Sequence, residues 1–327
     1  MAVTGCASSA GDEAVASPTG GSAPDLSPVY DGSSKFVTLG TGAGGLPQVD
    51  RSQPANLLVT KDRHILVDAG AGAVNQLGKM SIPPSTIDTV VISHLHFDHT
   101  GGLFALLGLR LQVPGPEALT IYGPPGTKAM VDGLLAAVAP ATRLFNARSQ
   151  DFASGGEPAN GVSVVEISDG GTVDIGAAKL TAAQNTHYSF PEGSSELVEN
   201  VSLSYRFDLP DRSIGFTGDT GPSEKMTKLV AGVDLLVTEV IDADASLAVV
   251  TGQRPDLTEA GKKSVYQHFV DEHLTPAEIG RIAQAGKPGM VMLSHNALSG
   301  GSEEDAIAAI AQSYSGPVTV AKDLEVF

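Results

Sequence analysis

Three things are scarce in this 327-residue chain, and each scarcity closes off a class of protein. There is a single cysteine, Cys6, so no intrachain disulfide can staple the fold. No apolar run is long enough to span a bilayer. Basic residues are few: 20 Lys and Arg face 37 Asp and Glu, for a formal net charge of −17. Such a surface repels phosphate backbones and disfavours general nucleic-acid binding, although a local basic groove can exist on an acidic protein. Apolar mass is plentiful by contrast. With 42% hydrophobic residues the chain can bury the core of one large domain or two small ones.

Residues 1–33 stand apart. They are rich in Gly, Ser, Ala and Pro, have almost no apolar pattern, and read as a flexible tether ahead of one domain over 34–327. Within the tether, Val3-Thr4-Gly5-Cys6 followed by Ala7-Ser8-Ser9 resembles a bacterial lipobox, without the charged and apolar parts of a signal peptide in front of it. That resemblance implies an exported protein, periplasmic or tethered to a membrane through a lipidated Cys6. If the match is accidental, the expected location is cytoplasmic.

From Lys35 onward, short apolar strands alternate with helices. Phe36–Leu39 reads as a strand, Leu57–Val59 and His64–Val67 as a hairpin pair, and Thr89–Ile92 as a buried strand. In the second half, Ser213–Phe216, Leu235–Val237 and Met290–Leu293 are buried strands that deliver Asp219, Glu239 and His295 at or just past their C-terminal ends. Thr275 to Gly286 carries the clearest helix signals: Thr275 as N-cap, Pro276 at the first helical position, Glu278 completing a capping box and Gly286 as the stop. Ser223–Ala231 and Ser302–Gln312 read as helices too. The alternation gives an α/β class with layered sheets.

Gly40-Thr41-Gly42-Ala43-Gly44-Gly45 fits a dinucleotide-binding fingerprint on paper. That fingerprint needs a helix directly after it, and Leu46-Pro47-Gln48-Val49-Asp50-Arg51 cannot start one properly, so the segment reads as a tight glycine turn. The segment His94-Leu95-His96-Phe97-Asp98-His99 is of another kind. It holds three of the eight histidines and an acid in six residues, directly after a buried strand. His94 and His96, two apart in extended chain, point the same way and can grip one ion, while Asp98 and His99 come around the turn toward a second. Imidazole with carboxylate suits zinc, and also manganese or iron. One loop cannot close two sites. The remaining ligands are expected at later strand ends, from His64, His187, His268, His273, His295 and the acid Asp219. His64, opening a hairpin strand, reads as structural or exposed. For His187, Asp219 and His295, taken singly, the residues leave a ligand role and a solvent-facing loop role both open.

His94-x-His96-x-Asp98-His99 followed by Thr100-Gly101-Gly102-Leu103 resembles the signature of the metallo-β-lactamase superfamily, with His187, Gly218-Asp219-Thr220 and Ser294-His295 in that superfamily's order. The resemblance covers Lys35 to Phe327. It implies a four-layer αββα sandwich with two mixed sheets and two divalent metal ions, zinc in the first instance. It also implies His94, His96 and His187 on one ion, Asp98, His99 and His295 on the other, and Asp219 shared. Within the superfamily the chain is most similar to the ribonuclease Z and arylsulfatase-like branch, through Leu39–Gly42, Arg51, Val67-Asp68-Ala69-Gly70, Ile121–Thr127 and His273–Glu278. That branch places a non-ligand catalytic histidine at His273, and Glu239 matches its acidic partner.

The implied chemistry is hydrolysis of an ester by a metal-bound hydroxide, with Asp98 a ligand able to accept the water's proton, and His273, oriented by Glu239, donating to the leaving oxygen. Small esters are the expected substrates: aryl sulfates, phosphodiesters or phosphotriesters, or lactones. Nucleic acid is not expected as a partner, and a homodimer is left open. A tRNA 3′ endonuclease of the ribonuclease Z type is the alternative. It is disfavoured because the interval Tyr188–Gly218, where bacterial members carry a basic tRNA-gripping arm, is short and holds Glu192, Glu196, Glu199, Asp208 and Asp211 against Arg206 and Arg212. An exported protein would also not meet tRNA. A β-lactamase, a diiron redox enzyme and a non-catalytic binding protein on the same fold are weaker readings. Residues 240–263 are expected to cover the site as a lid, and 103–116 and 147–160 to form pocket-wall loops.

Overall fold

The structure, a computed structural model, describes residues 29–44, 46–61, 63–112, 118–148, 161–191, 193–298 and 302–327. Val3–Cys6 and most of the 147–160 segment lie outside these residues. Six strands, β1 (Lys35–Gly40), β2 (Ala55–Thr60), β3 (Arg63–Ala69), β4 (Ile87–Val91), β5 (Leu119–Gly123) and β6 (Val162–Glu166), form one sheet in sequential order. Seven more form the second: β7 (Thr172–Asp174), β8 (Lys179–Gln184), β9 (Leu203–Asp208), β10 (Ser213–Phe216), β11 (Leu235–Ile241), β12 (Met290–Ala297) and β13 (Val318–Val320). Both sheets are mixed. β1–β2–β3 are antiparallel and β3–β4–β5–β6 parallel, while β7–β8–β9–β10 are antiparallel and β10–β11–β12–β13 parallel.

Ten helices complete the described chain: α1 (Ala73–Lys79), α2 (Phe97–Thr100), α3 (Leu103–Arg110), α4 (Thr127–Arg148), α5 (Ser195–Glu199), α6 (Glu224–Leu229), α7 (Ala243–Gln253), α8 (Glu259–Glu272), α9 (Pro276–Gly286) and α10 (Glu303–Ala311). Period-two alternation assigns the strand residues to layers. On β2, Leu57 and Val59 face one apolar cluster with Ala73, Leu77, Leu106 and Val131 of α1, α3 and α4, whereas Leu58 faces another. That second cluster joins Leu58, Ile65 and Val67 to Tyr205, Phe207, Ile214 and Val237, so it is the space between the sheets. A third packs Leu236, Val291 and Leu293 against Met226, Ile279, Ile282 and Ile310 of α6, α9 and α10. Three interlayer cores mean four layers, the αββα sandwich expected from the sequence.

The chain is already packed at Val29, which is 3% exposed within the first cluster, six residues ahead of Lys35. Ser34 donates from its backbone and its hydroxyl to Asp211, joining the first half of the chain to the second. At the other end, Phe36 and Phe327 exchange backbone hydrogen bonds, so the last residues cover the free edge of β1.

Several sequence expectations change in detail. α9 has the expected cap, with the Thr275 side chain accepting from the Glu278 backbone, but the Glu278 carboxylate pairs with Arg281, and the left-handed residue after the helix is Lys287 (φ 50°) rather than Gly286. Residues 103–110 are helical because Leu103, Leu106 and Leu107 recur on one buried face. The expected lid is a pair of packed helices, α7 and α8, started by the capping side chains Asp242 and Thr258.

Candidate metal centre

The parallel strands of both sheets end at one rim, and the site is built there from loops and strand irregularities. β4 runs out at Val91, and Ile92 and Ser93 carry the chain into His94. The two sheets are tied directly beneath this point: Tyr205 Oη donates to the Ile92 carbonyl at 2.8 Å, and the Leu203 backbone donates to that of Ser93 at 3.0 Å. Gly218 sits in the same seam at φ 58°, and a Cβ there would come within 2.9 Å of Ser93 Cβ. Only glycine lets the β10 loop pass so close and turn Asp219 into the centre.

Three other site residues sit where the ladder slips. Pairing shifts register around Asp68 on β3 (φ 56°) and around Glu239 on β11, opposite Ser294 and His295 on β12, where His295 has φ 43°. Bulges re-aim side chains. They also explain why β11 and β12 continue to Ile241 and Ala297 instead of ending at Glu239 and His295 as the sequence suggested.

All seven expected ligands are brought together. Ligand atoms of His94, His96 and His187 lie within 4.8 Å of one another, as do those of Asp98, His99, Asp219 and His295. Asp219 stands between the groups: its carboxylate is 4.0 Å from both His94 Nε2 and His187 Nε2, 3.3 Å from His99 Nε2 and 3.2 Å from His295 Nε2. Asp98 lies 3.4 Å from His99 and 3.5 Å from His295.

The ring nitrogens of His187, His99 and His94 that point away from the centre are anchored, whereas His295 Nδ1 has no hydrogen-bond partner and lies 3.9 Å from Glu239 Oε2. His187 Nδ1 donates to the Glu272 carbonyl at 3.1 Å. His99 Nδ1 donates to Asp68 at 2.8 Å. His94 Nδ1 donates to Ser93 Oγ at 3.1 Å, and Ser93 Oγ in turn donates to Asp68 at 2.8 Å. The opposite atoms, His94 Nε2, His99 Nε2, His295 Nε2 and Asp219 Oδ1, are buried and have no hydrogen-bond partner. An orphaned buried acceptor is costly, and several converging on one point fit a divalent cation. His187 Nε2 and His96 Nδ1 face each other at 3.0 Å, close to the roughly 3.3 Å edge that ligand bonds of about 2.0–2.1 Å give in a tetrahedral site.

Electrostatics separates the two groups. Burial pushes His94 and His96 below the ordinary histidine range and His187 down to about 4, keeping these imidazoles neutral with lone pairs available. At His99 burial acts in the same direction, but Asp219 and Asp68 overcome it and raise the group well above its usual value. Burial would raise Asp98 and Asp219, yet His295 and His99 hold both carboxylates low.

His273, at the junction of α8 and α9, points its Nδ1 at Glu239 Oε2 at 2.6 Å. Glu239 is buried, and its other oxygen accepts the Thr220 backbone N–H at 2.5 Å. Burial would lower His273, but the Glu239 carboxylate raises it to about 9, so the ring carries a proton near neutral pH. Burial in turn raises the Glu239 carboxyl. With Nδ1 occupied, Nε2 is the His273 atom that can meet a substrate. The His273 ring comes within 4.8 Å of ligand atoms of His187 and Asp219.

The remaining histidines stand apart. His64 bonds Tyr30 and Thr86, as a structural residue does. His268 is half exposed and pairs with Glu272 on its own helix. The residue that sequence reasoning left without a role is Asp68, whose three accepted bonds fix Ser93, His99 and, through Ser93, His94. Its only signal was an acid followed by Ala-Gly at a strand end.

A family model described as a beta-lactamase superfamily domain matches residues 63–296. Ribonuclease Z of Mycobacterium avium (strain 104) is 28% identical over 295 residues, covering 89% of this chain and 96% of its own. Ribonuclease Z of Mycobacterium tuberculosis (strain ATCC 25618 / H37Rv) is 25% identical over 292 residues, covering 89% and 96%. Among solved structures, the metallo-beta-lactamase fold protein YhfI from Bacillus subtilis superposes with a TM-score of 0.64 at 19% identity, over 90% of this chain and 99% of its own. The short form of human tRNase Z gives 0.58 at 20%, over 90% and 98%.

The relatives overturn the expectation of a small-molecule ester partner and no nucleic acid, because proteins similar along nearly the whole chain are ribonucleases. Net charge averages over the whole surface and does not report the charge of a single cleft. The fold, the ligand clusters and the family match agree, and the chain belongs to the metallo-β-lactamase superfamily of metal-dependent hydrolases.

Proposed function

We propose that this protein is a ribonuclease Z-type endonuclease that hydrolyses a phosphodiester bond at the 3′ side of precursor tRNA. The observation that carries the reading is the similarity to ribonuclease Z over 89% of the chain. Two divalent ions, zinc in the first instance, would be held by His94, His96 and His187 and by Asp98, His99 and His295, with Asp219 between them. When bound, such ions acidify water and neutralise charge on phosphoryl oxygens.

The chain's own residues do the rest. Ser93 and Asp68 fix the tautomers of His94 and His99, so that the free ring nitrogens face the centre. Asp98 would orient the attacking water as a ligand carboxylate able to accept its proton. His273 enters the reaction protonated and gives the Nε2 proton to the leaving oxygen, while Glu239 holds the ring through Nδ1. The interval Tyr188–Gly218 contains α5, β9 and the β10 hairpin, and its Arg206 is paired with Asp208. On this reading RNA is held mainly at the rim of the centre. Such a substrate also requires the protein to be where tRNA is made, which sets this proposal against the membrane tether suggested by Cys6.

The test is cleavage of a precursor tRNA with a 3′ trailer by zinc- or manganese-loaded protein, with and without chelator. Chelator-sensitive cleavage at one position is expected. Intact precursor alongside chelator-sensitive turnover of an aryl ester would overturn the proposal.

A further inference from the structure

A cavity of about 580 Å³ opens directly from the centre between the loop after β1 and the α7–α8 pair. Its size is that of a ligand pocket. Leu46, Val249, Val250 and Phe269 form apolar walls, and His273 and His295 line the end that meets the site. Three polar groups in the walls are engaged with the protein: Gln48 donates to the Asn296 carbonyl, Ser246 to the Ala297 carbonyl, and Arg51 pairs with Glu303 at 2.9 Å. Asp50 adds negative charge, so the cavity does not suit a phosphate. Leu46 is 55% exposed and Val249 37%, leaving apolar surface at the mouth for an occupant to cover.

The position of His273 decides which part of a substrate enters. A group that protonates the leaving oxygen must lie beside it, so the piece that departs with that oxygen lies on the His273 side of the centre. On the ribonuclease reading, on which this inference rests, that piece is a nucleoside. We infer that the cavity is a base-binding subsite: it takes the nucleobase of the nucleotide whose oxygen leaves, against Phe269 and Val249, while the scissile phosphate stays at the histidine and aspartate cluster. With Gln48, Ser246 and Arg51 turned to the protein and Phe269 and Val249 forming the contact surface, the subsite senses mainly the presence of a flat base, as aromatic stacking platforms do.

The test uses metal-loaded protein and precursor tRNA made with an abasic ribose on one side or the other of the scissile phosphate. Removing the base on the leaving-oxygen side is expected to lower kcat/KM roughly 10- to 100-fold, and removing the opposite base to change it far less. Phe269→Ala should lose about the same factor on intact RNA and little more on the abasic strand. Val249→Trp, at the exposed mouth, should narrow the cavity and raise KM for intact RNA more than for the abasic one. Equal cleavage of both abasic strands, or variants equally impaired on intact and abasic RNA, would overturn the subsite and leave the ribonuclease reading standing. Failure of wild-type protein to cleave any of these RNAs would overturn both.

Discussion

The two sheets contribute to the centre in different ways. The first delivers His94, His96, Asp98 and His99 from one six-residue turn after β4, a local object whose geometry follows from chain connectivity. The second delivers His187 and Asp219 from loops after β8 and β10, Glu239 and His295 from irregularities within β11 and β12, and His273 from a helix junction. These become neighbours only because the sheet gathers its C-terminal ends at one rim and the irregularities at Glu239 and His295 turn those side chains inward. A metal site can thus be half a motif and half a consequence of topology, and the two halves should fail differently.

The sharpest way to break the contrast is Asp219→Ala. Asp219 reaches both histidine groups, so its loss should deplete both ions and lower activity on the order of 10³-fold or more, whereas His295→Ala should deplete one ion preferentially. Elemental analysis of the purified variants reads this out, and full metal content in Asp219→Ala would contradict the shared position. A smaller effect is expected at Asp68→Asn, which keeps the shape but removes one strong acceptor from a carboxylate serving His99 directly and His94 through Ser93. Metal affinity should fall about 10- to 100-fold with the fold intact by circular dichroism. Unchanged affinity would mean that the contiguous turn organises itself.

The seam between the halves gives the smallest effect. Burial acts to raise the Asp211 carboxyl, but the backbone and hydroxyl of Ser34 both donate to it and together help hold it below the usual range. A depressed carboxyl stabilises the fold above the unfolded-state pKa of about 3.9, and that contribution is lost as pH falls through the lower folded value. Ser34→Ala should therefore be less stable than wild type at neutral pH, and the two should converge in acid below about pH 4. A constant difference in unfolding midpoint across that range would show that packing rather than the carboxylate holds the seam.

The same division explains what was legible beforehand. Strand positions followed from short apolar runs and turn signals, the four-layer sandwich from the family resemblance, and His94–His99 announced itself by density. His187, Asp219 and His295 were each an ordinary polar residue at a strand end until ordered by family resemblance. Asp68 was quoted only as part of a pattern, because its role depends on a positive φ and on partners 25 and 31 residues away. Residues 240–263, expected from their position to form a lid, are the end of β11, the helix α7 and the start of α8, with the helices capped by Asp242 and Thr258. Overall acidity pointed away from nucleic acid, since composition cannot say where charge lies.

The central claim is that His273, held by Glu239, supplies the proton to the leaving oxygen of an RNA phosphodiester beside a metal centre. It is tested most directly by precursor tRNA in which sulfur replaces that oxygen, because a thiolate leaves without a proton. The account predicts that His273→Ala loses about 10²- to 10⁴-fold in kcat/KM on the oxygen substrate and nearly nothing on the sulfur one, with metal content unchanged. An equal loss on both substrates would contradict it and return His273 to a structural or metal-binding role.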